Sequence, residues 1–435
     1  MNGQTATSAE AAAMAVHLPV RSMGAKFLAG CRKILVFFCK YFWGMIFCQS
    51  MLGGILIVGW TYRLAQRSVL KYWWRQSELR KKGVSFITFL EMSERNRIHA
   101  RWPNWFVQAK AWNAIQTCYQ ARSGIWTICR GIGRAAVHSL WLNFKIGTQG
   151  IFNTWVLTLP GCILWLFAWY DGWNNSFNKG YEQAAVGPLT GLLGVALFIM
   201  AMLYVPMAQA RQAATGNWRA FYQVRLVWGL VRRKWLACLG LAMFYSILSI
   251  PVSILNITPI FFIQMNPSLS QATDAQIVKI LETYFFWSSL FVFPAYVVLR
   301  LAAARIYASA LLQAVQSGRV TLTSLKAGEQ EDLEHLGLST RREQRRIPVA
   351  LKPLLWLLRT TVKTATIFIW FTFVSQIFIR EFFNYHPQRG WLNQPLVQLP
   401  WFQHVPEGLH APKPAGQGEH RHENTKDNAA DKNGH

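Results

Sequence analysis

Long apolar stretches constrain this chain more than any other feature of its sequence. Five of them have about 20 mostly apolar residues, the length that an α-helix needs to cross a membrane. A backbone surrounded by lipid must also satisfy its own hydrogen bonds, which a helix does. The sequence therefore predicts an all-α, polytopic integral membrane helix bundle. The five predicted spans are residues 152–170, 188–210, 235–263, 284–301 and 364–383.

A sixth apolar stretch, residues 41–62, is interrupted near its middle by Gln49, Ser50 and the pair Gly53-Gly54. Two interpretations stay open. The stretch is either a further span or a re-entrant hairpin that turns at the two glycines and is shielded from lipid by protein.

The basic residues that give the chain its net charge of +26 are unevenly distributed. Residues 63–150 contain 15 basic and 3 acidic residues, 211–234 contain 6 and 0, and 300–363 contain 11 and 5. Cytoplasmic loops of membrane proteins accumulate Lys and Arg. We therefore expect these three regions in the cytoplasm and the C-terminal tail outside. Residues 1–40, with five basic residues and one acidic residue, would then lie outside after a simple first span and inside after a hairpin.

These patterns divide the chain into five predicted regions. The regions are a basic N-terminal segment (1–40), the first apolar segment (41–62), cytoplasmic, Trp-rich interfacial helices (63–150), a transmembrane bundle (151–383) with cytoplasmic loops at 211–234 and 302–363, and a mostly disordered external tail (384–435).

Two basic segments have the spacing of amphipathic helices that lie on a membrane surface. In the first, basic residues recur every fourth position; in the second, Phe221, Val224, Trp228 and Val231 form an apolar stripe beside basic residues. Anionic lipid headgroups, on the cytoplasmic face, are the expected contacts of such segments, and a protein partner is the alternative. The candidate contact residues are Arg63, Arg67, Lys71, Arg75, Arg219, Trp228, Arg232 and Arg233.

Prolines and polar residues within the predicted spans are candidates for a solute site. Proline kinks a helix, and transporters place substrate sites at broken helices. The candidates are Pro206, Arg211, Pro251, Asn256, Pro294 and Arg300. Arg211 and Arg300 lie close to predicted span ends, so the simpler interpretation is that their side chains extend to the aqueous interface.

Catalytic motifs are missing from the sequence. The seven cysteines include no C-x-x-C pair, and no glycine-rich phosphate loop, H-E-x-x-H or G-x-S-x-G motif occurs. Six of the ten histidines lie in the tail, where the composition favours disorder over a metal site. We therefore expect no enzyme activity, no cofactor, no metal and no nucleic-acid partner, although an interfacial lipid enzyme is not excluded.

Two functional hypotheses follow. The preferred one is a non-enzymatic component that organises the membrane or assembles with membrane-protein partners or with copies of itself. The alternative is a permease-like transporter whose site lies at the kinked spans within residues 188–301. The bacterial cytoplasmic membrane is the expected location, because no organelle-targeting segment is recognisable.

Overall fold

The computed structural model describes residues 23–91, 124–168, 186–266, 272–338, 351–382 and 394–401. Within these ranges the chain is helical and contains no strand, which confirms the predicted all-helical class. The helices are α1 (Met23–Phe47), α2 (Met51–Gln76), α3 (Glu78–Lys81), α4 (Phe86–Glu91), α5 (Ile125–Phe167), α6 (Val186–Thr215), α7 (Val224–Arg233), α8 (Trp235–Met265), α9 (Asp274–Gln316), α10 (Ala327–His335) and α11 (Lys352–Phe382), with 3₁₀ turns at Trp218–Tyr222 and Leu322–Ser324.

Three of the described helices are long and apolar enough to cross a membrane: Leu189–Thr215 in α6, Trp235–Asn256 in α8 and Ala275–Gln316 in α9. They overlap the predicted spans 188–210, 235–263 and 284–301. The other two predicted spans lie on α5 and α11, which are not among these three helices.

The first apolar segment is not one continuous helix. Helix α1 ends at Phe47, and α2 begins at Met51 after Ser50, whose side chain accepts a hydrogen bond from the Gly53 N–H. Tyr41 of α1 and Trp60 of α2 both pack against the ring of Phe293 in α9, so the chain reverses direction.

The chain thus reverses direction within residues 41–62, but the turn lies at 48–50 rather than at Gly53-Gly54. Whether this hairpin re-enters the membrane stays a prediction. Gly53 lies in the first turn of α2, where a Cβ atom would be 2.2 Å from the Phe47 carbonyl oxygen. This glycine therefore lets the end of α1 lie directly against α2.

Helices α2 and α5 form the closest crossing in the core. A Cβ atom on Gly59 would lie 1.8 Å from the Asn143 carbonyl oxygen, and one on Gly147 would lie 2.0 Å from that of Ile55. Beyond residue 62, α2 stays in the bundle, where Trp73 is buried and donates to the Ala308 carbonyl at 3.0 Å. The predicted boundary between residues 62 and 63 therefore falls inside a core helix.

Helix α7 packs against α6 and α9 of the same chain. Val227, Leu230 and Val231 are buried, and Trp228 packs against Tyr204 of α6 with ring centroids 6.2 Å apart. Trp228 is only half-buried, however, and Val224 is exposed. The lipid or partner contact expected of Trp228 therefore stays a prediction.

Residues 394–401 insert into the bundle. Pro395 to Pro400 are all buried, in contact with α2, α5, α6 and α9. These residues of the predicted tail (384–435) are therefore packed inside the bundle, since their apolar side chains are buried and their polar groups find hydrogen-bond partners there. The external side of the tail stays a prediction. The predicted histidine-rich part of the tail lies outside the described residues.

Candidate functional site

Arg300 of α9 is the most unusual group in the bundle interior. Its side chain is only 4% exposed. Nη2 donates to the hydroxyl of Tyr296 at 3.0 Å and also to the Val397 carbonyl oxygen of the inserted segment. Nε and Nη1 have no hydrogen-bond partner, and no carboxylate of the described residues contacts the guanidinium. Arg300 is therefore a buried cation without a counter-charge.

Three tyrosines surround this cation. The ring of Tyr296 lies 4.7 Å from the guanidinium carbon, in the geometry of a cation–π contact. Tyr62 of α2 and Tyr245 of α8 lie close enough to act electrostatically on Arg300. The Tyr62 hydroxyl is buried beside Thr154 of α5. The site thus combines unused cationic N–H donors with a neighbouring hydroxyl, and both suit an anion.

Amide and hydroxyl side chains connect the inserted segment to the helices around Arg300. Gln398 donates from Nε2 to Thr158 Oγ1 of α5 at 2.8 Å, and its carbonyl accepts from the Tyr296 hydroxyl at 3.2 Å. Gln209 of α6 donates to Thr154 Oγ1 at 2.7 Å and, at 3.5 Å, to the same Val397 carbonyl that Arg300 contacts. The segment therefore forms one wall of the site.

Tyr62 also lines a half-open cavity of about 40 Å³. Tyr62 therefore belongs both to this cavity and to the surroundings of the buried cation. The cavity is rich in amides; its lining residues are Tyr62, Arg63, Gln66, Ile146, Gln149, Gln212, Ala213, Gly216 and Trp218.

Arg63, a predicted lipid contact, is instead a wall of this cavity. It is 1% exposed and donates from Nη1 to the Asn143 side chain at 2.7 Å. Burial lowers the pKa of its guanidinium to about 10, so the group keeps its charge at neutral pH. Its position on α2 faces α5, and a lipid headgroup cannot reach it.

Arg211 is also buried, but in contrast to Arg300 it has a carboxylate partner. Its Nη1 lies 3.1 Å from Glu329 Oε2 of α10, and neither side chain is more than 1% exposed. Arg211 also donates to Gln223 at 2.9 Å and to the Tyr307 hydroxyl at 3.1 Å. Burial raises the pKa of the Glu329 carboxyl, although Arg211 and the hydrogen bond from Tyr307 act in the opposite direction. This cluster ties α10 to α6, α7 and α9.

The interpretation that Arg211 and Arg300 extend to the interface is therefore wrong, because tertiary packing covers both. The other candidates do not converge on one site. Pro206 is buried within continuous α6, and Pro251 and Pro294 are half-buried within α8 and α9.

Asn256 has a buried amide whose two polar atoms have no hydrogen-bond partner. Its neighbour Leu255 accepts from Tyr284 at 2.9 Å, and Tyr284 lies about 24 Å from Arg300 along α9. Asn256 and Arg300 thus belong to different parts of the bundle.

The remaining predicted lipid contacts lie nearer the surface. Lys71 and Arg75 are exposed and Arg67 is half-buried, and the charges of Arg67, Arg75 and Arg305 all act on Lys71. Arg219 and Arg232 are exposed and Arg233 is half-buried. The first group, Arg67, Lys71, Arg75 and Arg305, is called the basic patch below.

The sequence interpretation missed Tyr62, Gln209, Tyr296 and the inserted segment as parts of a site. One signal for Tyr296 was available, since it lies four residues before Arg300 and therefore on the same helix face. Nothing local in the sequence relates residues 397 and 398 to α9.

Comparisons of the chain with protein-family models, with characterised proteins and with solved structures give no match. Among the described residues, no group of three or more His, Cys, Asp or Glu side chains has the arrangement of a metal site. The functional argument therefore depends on the geometry of the buried clusters.

Proposed function

We propose that this protein is a permease-like membrane protein that binds an anionic solute at Arg300. The observation that carries the proposal is the buried guanidinium with two unused nitrogen donors and no counter-charge among the residues that the structure describes. Transferring a charge from water to a protein interior costs several kcal/mol even after relaxation. A bound anion would supply the missing partner, as Glu329 does for Arg211.

The surroundings of Arg300 support passage of a solute as well as binding. Tyr62 belongs to both the half-open cavity and the Arg300 surroundings. On another side, Arg300 is covered by residues 394–401 rather than by a membrane helix. A site between two separate coverings is the arrangement that alternating access requires.

The proposed topology keeps five spans, with α5 and α11 added to α6, α8 and α9, and treats α1 and α2 as a hairpin. Lys363 of α11 lies over the ring of Trp235, so α8 and α11 are side by side at these two residues. We place the basic loops in the cytoplasm and the protein in a bacterial inner membrane, on the charge rule.

Anionic lipid headgroups remain the proposed partners of the basic patch, where four cations lie close together. Assembly with a protein partner has weaker support, because Val227, Leu230 and Val231 of α7 are buried within the chain, which leaves the half-buried Trp228 and the exposed Val224 of this helix for a partner. The permease-like function is therefore preferred to the assembly function.

Thermal unfolding in detergent tests the anion site. The protein would be melted in sodium chloride, sodium phosphate and sodium acetate at matched ionic strength. A ligand at one hundred times its Kd stabilises by about 2.7 kcal/mol, so an oxyanion that binds should raise Tm. We expect this rise in the wild type and in the control Arg225→Gln, an exposed arginine of α7 outside both proposed sites, but not in Arg300→Gln. Arg300→Lys should retain only part of it, because lysine keeps the charge but not the planar fork.

A second comparison identifies the source of the anion. Glycerol 3-phosphate and phosphatidylglycerol carry similar phosphates, but only the former is a free solute. Stabilisation by glycerol 3-phosphate, followed by its uptake into proteoliposomes, supports the permease-like function. If only phosphatidylglycerol stabilises the protein in an Arg300-dependent way, the site belongs to a lipid headgroup and the permease-like function is overturned. Equal responses of the wild type and Arg300→Gln to every anion also overturn this function.

A further inference from the structure

We infer that residues 394–401 are a displaceable plug that closes the anion site, and that an oxyanion competes with the Val397 carbonyl for Arg300. This inference rests on the proposed anion site. It assigns to the C-terminal segment a function in controlling access, and it narrows the class of ligand.

The geometry of the guanidinium carries the first step. Arginine holds a carboxylate or phosphate with two parallel hydrogen bonds, either from Nε and Nη2 or from Nη1 and Nη2. Both pairs include Nη2. In this protein the two hydrogens of Nη2 are directed to the Tyr296 hydroxyl and to the Val397 carbonyl. With the segment in place, Arg300 can therefore offer an anion only single hydrogen bonds.

Withdrawal of the segment changes this. The Val397 carbonyl would leave Nη2, and one two-bond edge of the guanidinium would open. Tyr296, whose hydroxyl donates to the Gln398 carbonyl at 3.2 Å, would also lose its acceptor and become available to the ligand. The Tyr62 hydroxyl, which lies beside Thr154, is a second hydroxyl close to Arg300. The open site would thus present donors from α2 and α9 to a single anion.

The class of ligand follows from the two parallel N–H donors that one edge of the guanidinium would present. The best occupant is a carboxylate or phosphate, since each has two oxygens on one atom. Chloride can accept from both donors, but its single centre does not match the two parallel N–H groups as two oxygens do. The plug's carbonyl is neutral, so an anion has a charge-assisted advantage over it. The anion and the segment would then exclude each other from the same nitrogen.

The contacts of Leu399 provide a way to lock the plug. A Cβ atom built on Gly54 lies 3.9 Å from Leu399 Cβ, and disulfides have Cβ–Cβ distances of about 3.5–4.5 Å. A Gly54→Cys, Leu399→Cys pair should therefore form a disulfide that fixes the segment in the bundle. The pair would be introduced after the seven native cysteines are replaced by serine or alanine, with each single variant as a control.

The experiment compares the phosphate or acetate dependence of Tm before and after oxidation, and again after reduction with dithiothreitol. We expect the disulfide to form, the apparent anion affinity to fall at least tenfold, and reduction to restore it. As a complementary change, Leu399→Ala removes apolar contacts that hold the plug in the bundle, and it should raise the apparent affinity for the anion several-fold.

The outcomes separate the plug from the anion site. If no disulfide forms, or if the locked and reduced proteins bind the anion equally well, the plug is overturned while Arg300-dependent binding stands. If neither form responds more than Arg300→Gln does, the anion site itself fails and the plug fails with it.

Discussion

Replacing Arg300 with methionine should stabilise the folded protein while abolishing its response to anions. Methionine has similar length and flexibility, so it can fill the same space between the tyrosines. The usual result of removing a buried charged group that has a good partner is destabilisation. Arg300 has no such partner, which reverses the expectation.

The magnitude comes from opposing effects at one side chain. The wild-type arginine makes two hydrogen bonds, each worth about 1.5–3 kcal/mol for a charged donor. Both acceptors keep another contact after the change: the Tyr296 hydroxyl donates to Gln398, and the Val397 carbonyl lies 3.5 Å from Gln209 Nε2. Against this loss, the change removes a desolvation cost of several kcal/mol and two unsatisfied donors, Nε and Nη1. Replacing buried ionic groups by apolar ones gains about 1–4 kcal/mol, and we expect about 1–3 kcal/mol here.

Tryptophan fluorescence during heating in detergent measures the effect. Arg300→Met should raise Tm by a few degrees in the absence of added oxyanions. The matched control is Arg305→Met on the exposed face of α9, which should change the unfolding free energy by less than about 0.5 kcal/mol. If the Tm of Arg300→Met is instead lower than that of the wild type, by the equivalent of 1 kcal/mol or more, Arg300 stabilises the fold. The argument from its missing counter-charge would then be refuted.

Three further predictions concern the packing and charge of the same bundle. Arg211→Met should cost about 3–5 kcal/mol at pH 7, because it strands a buried carboxylate. Because the pKa of Glu329 is raised in the folded state, this loss of stability grows as pH rises through that folded-state pKa and shrinks below about pH 4.5. The Tm of Arg211→Met should therefore vary with pH, and it should vary much less once Glu329→Gln is added. Gly59→Ala should destabilise by about 3 kcal/mol or more through backbone clash, whereas Gly240→Ala, which meets nothing within 4 Å, should stabilise by up to about 1 kcal/mol; denaturation of the two variants checks this. Lys71→Glu should reduce the phosphatidylglycerol that copurifies, measured by mass spectrometry, and undiminished retention would argue against the basic patch as a lipid site.

The helical class of the fold and three helices long and apolar enough to cross a membrane could be predicted from the sequence because hydropathy is a local property. The apolar run from 188 to 210 specifies a helix in lipid whatever its neighbours are. For the hairpin at 48–50, the sequence predicts the break in the helix but not the position of the turn. Polar residues indicated a break, but the exact turn depends on Phe293, an α9 residue that both arms contact.

The covering of an amphipathic face could not be predicted from the face itself. The stripe of Trp228 and Val231 correctly indicates a helix with one apolar side. Whether lipid, a partner or the same chain covers that side depends on how α6 and α9 are placed. The same reason applies to residues 394–401, whose prolines and aromatic residues fit an interfacial segment as well as a buried one.

Arg211 and Arg300 show where sequence reasoning about a site ends. Each follows a proline within a long apolar helix by a few residues, and each was assigned to the interface for the same reason. In the folded chain both are buried, yet their environments differ. Arg211 meets Glu329, 118 residues later in the chain, whereas Arg300 meets a neutral carbonyl 97 residues away. A buried cation that already has a counter-charge, such as Arg211, stabilises the fold. A buried cation that lacks one keeps its capacity to bind an anion. Only the three-dimensional structure shows this difference, and for this reason the proposed function depends on Arg300.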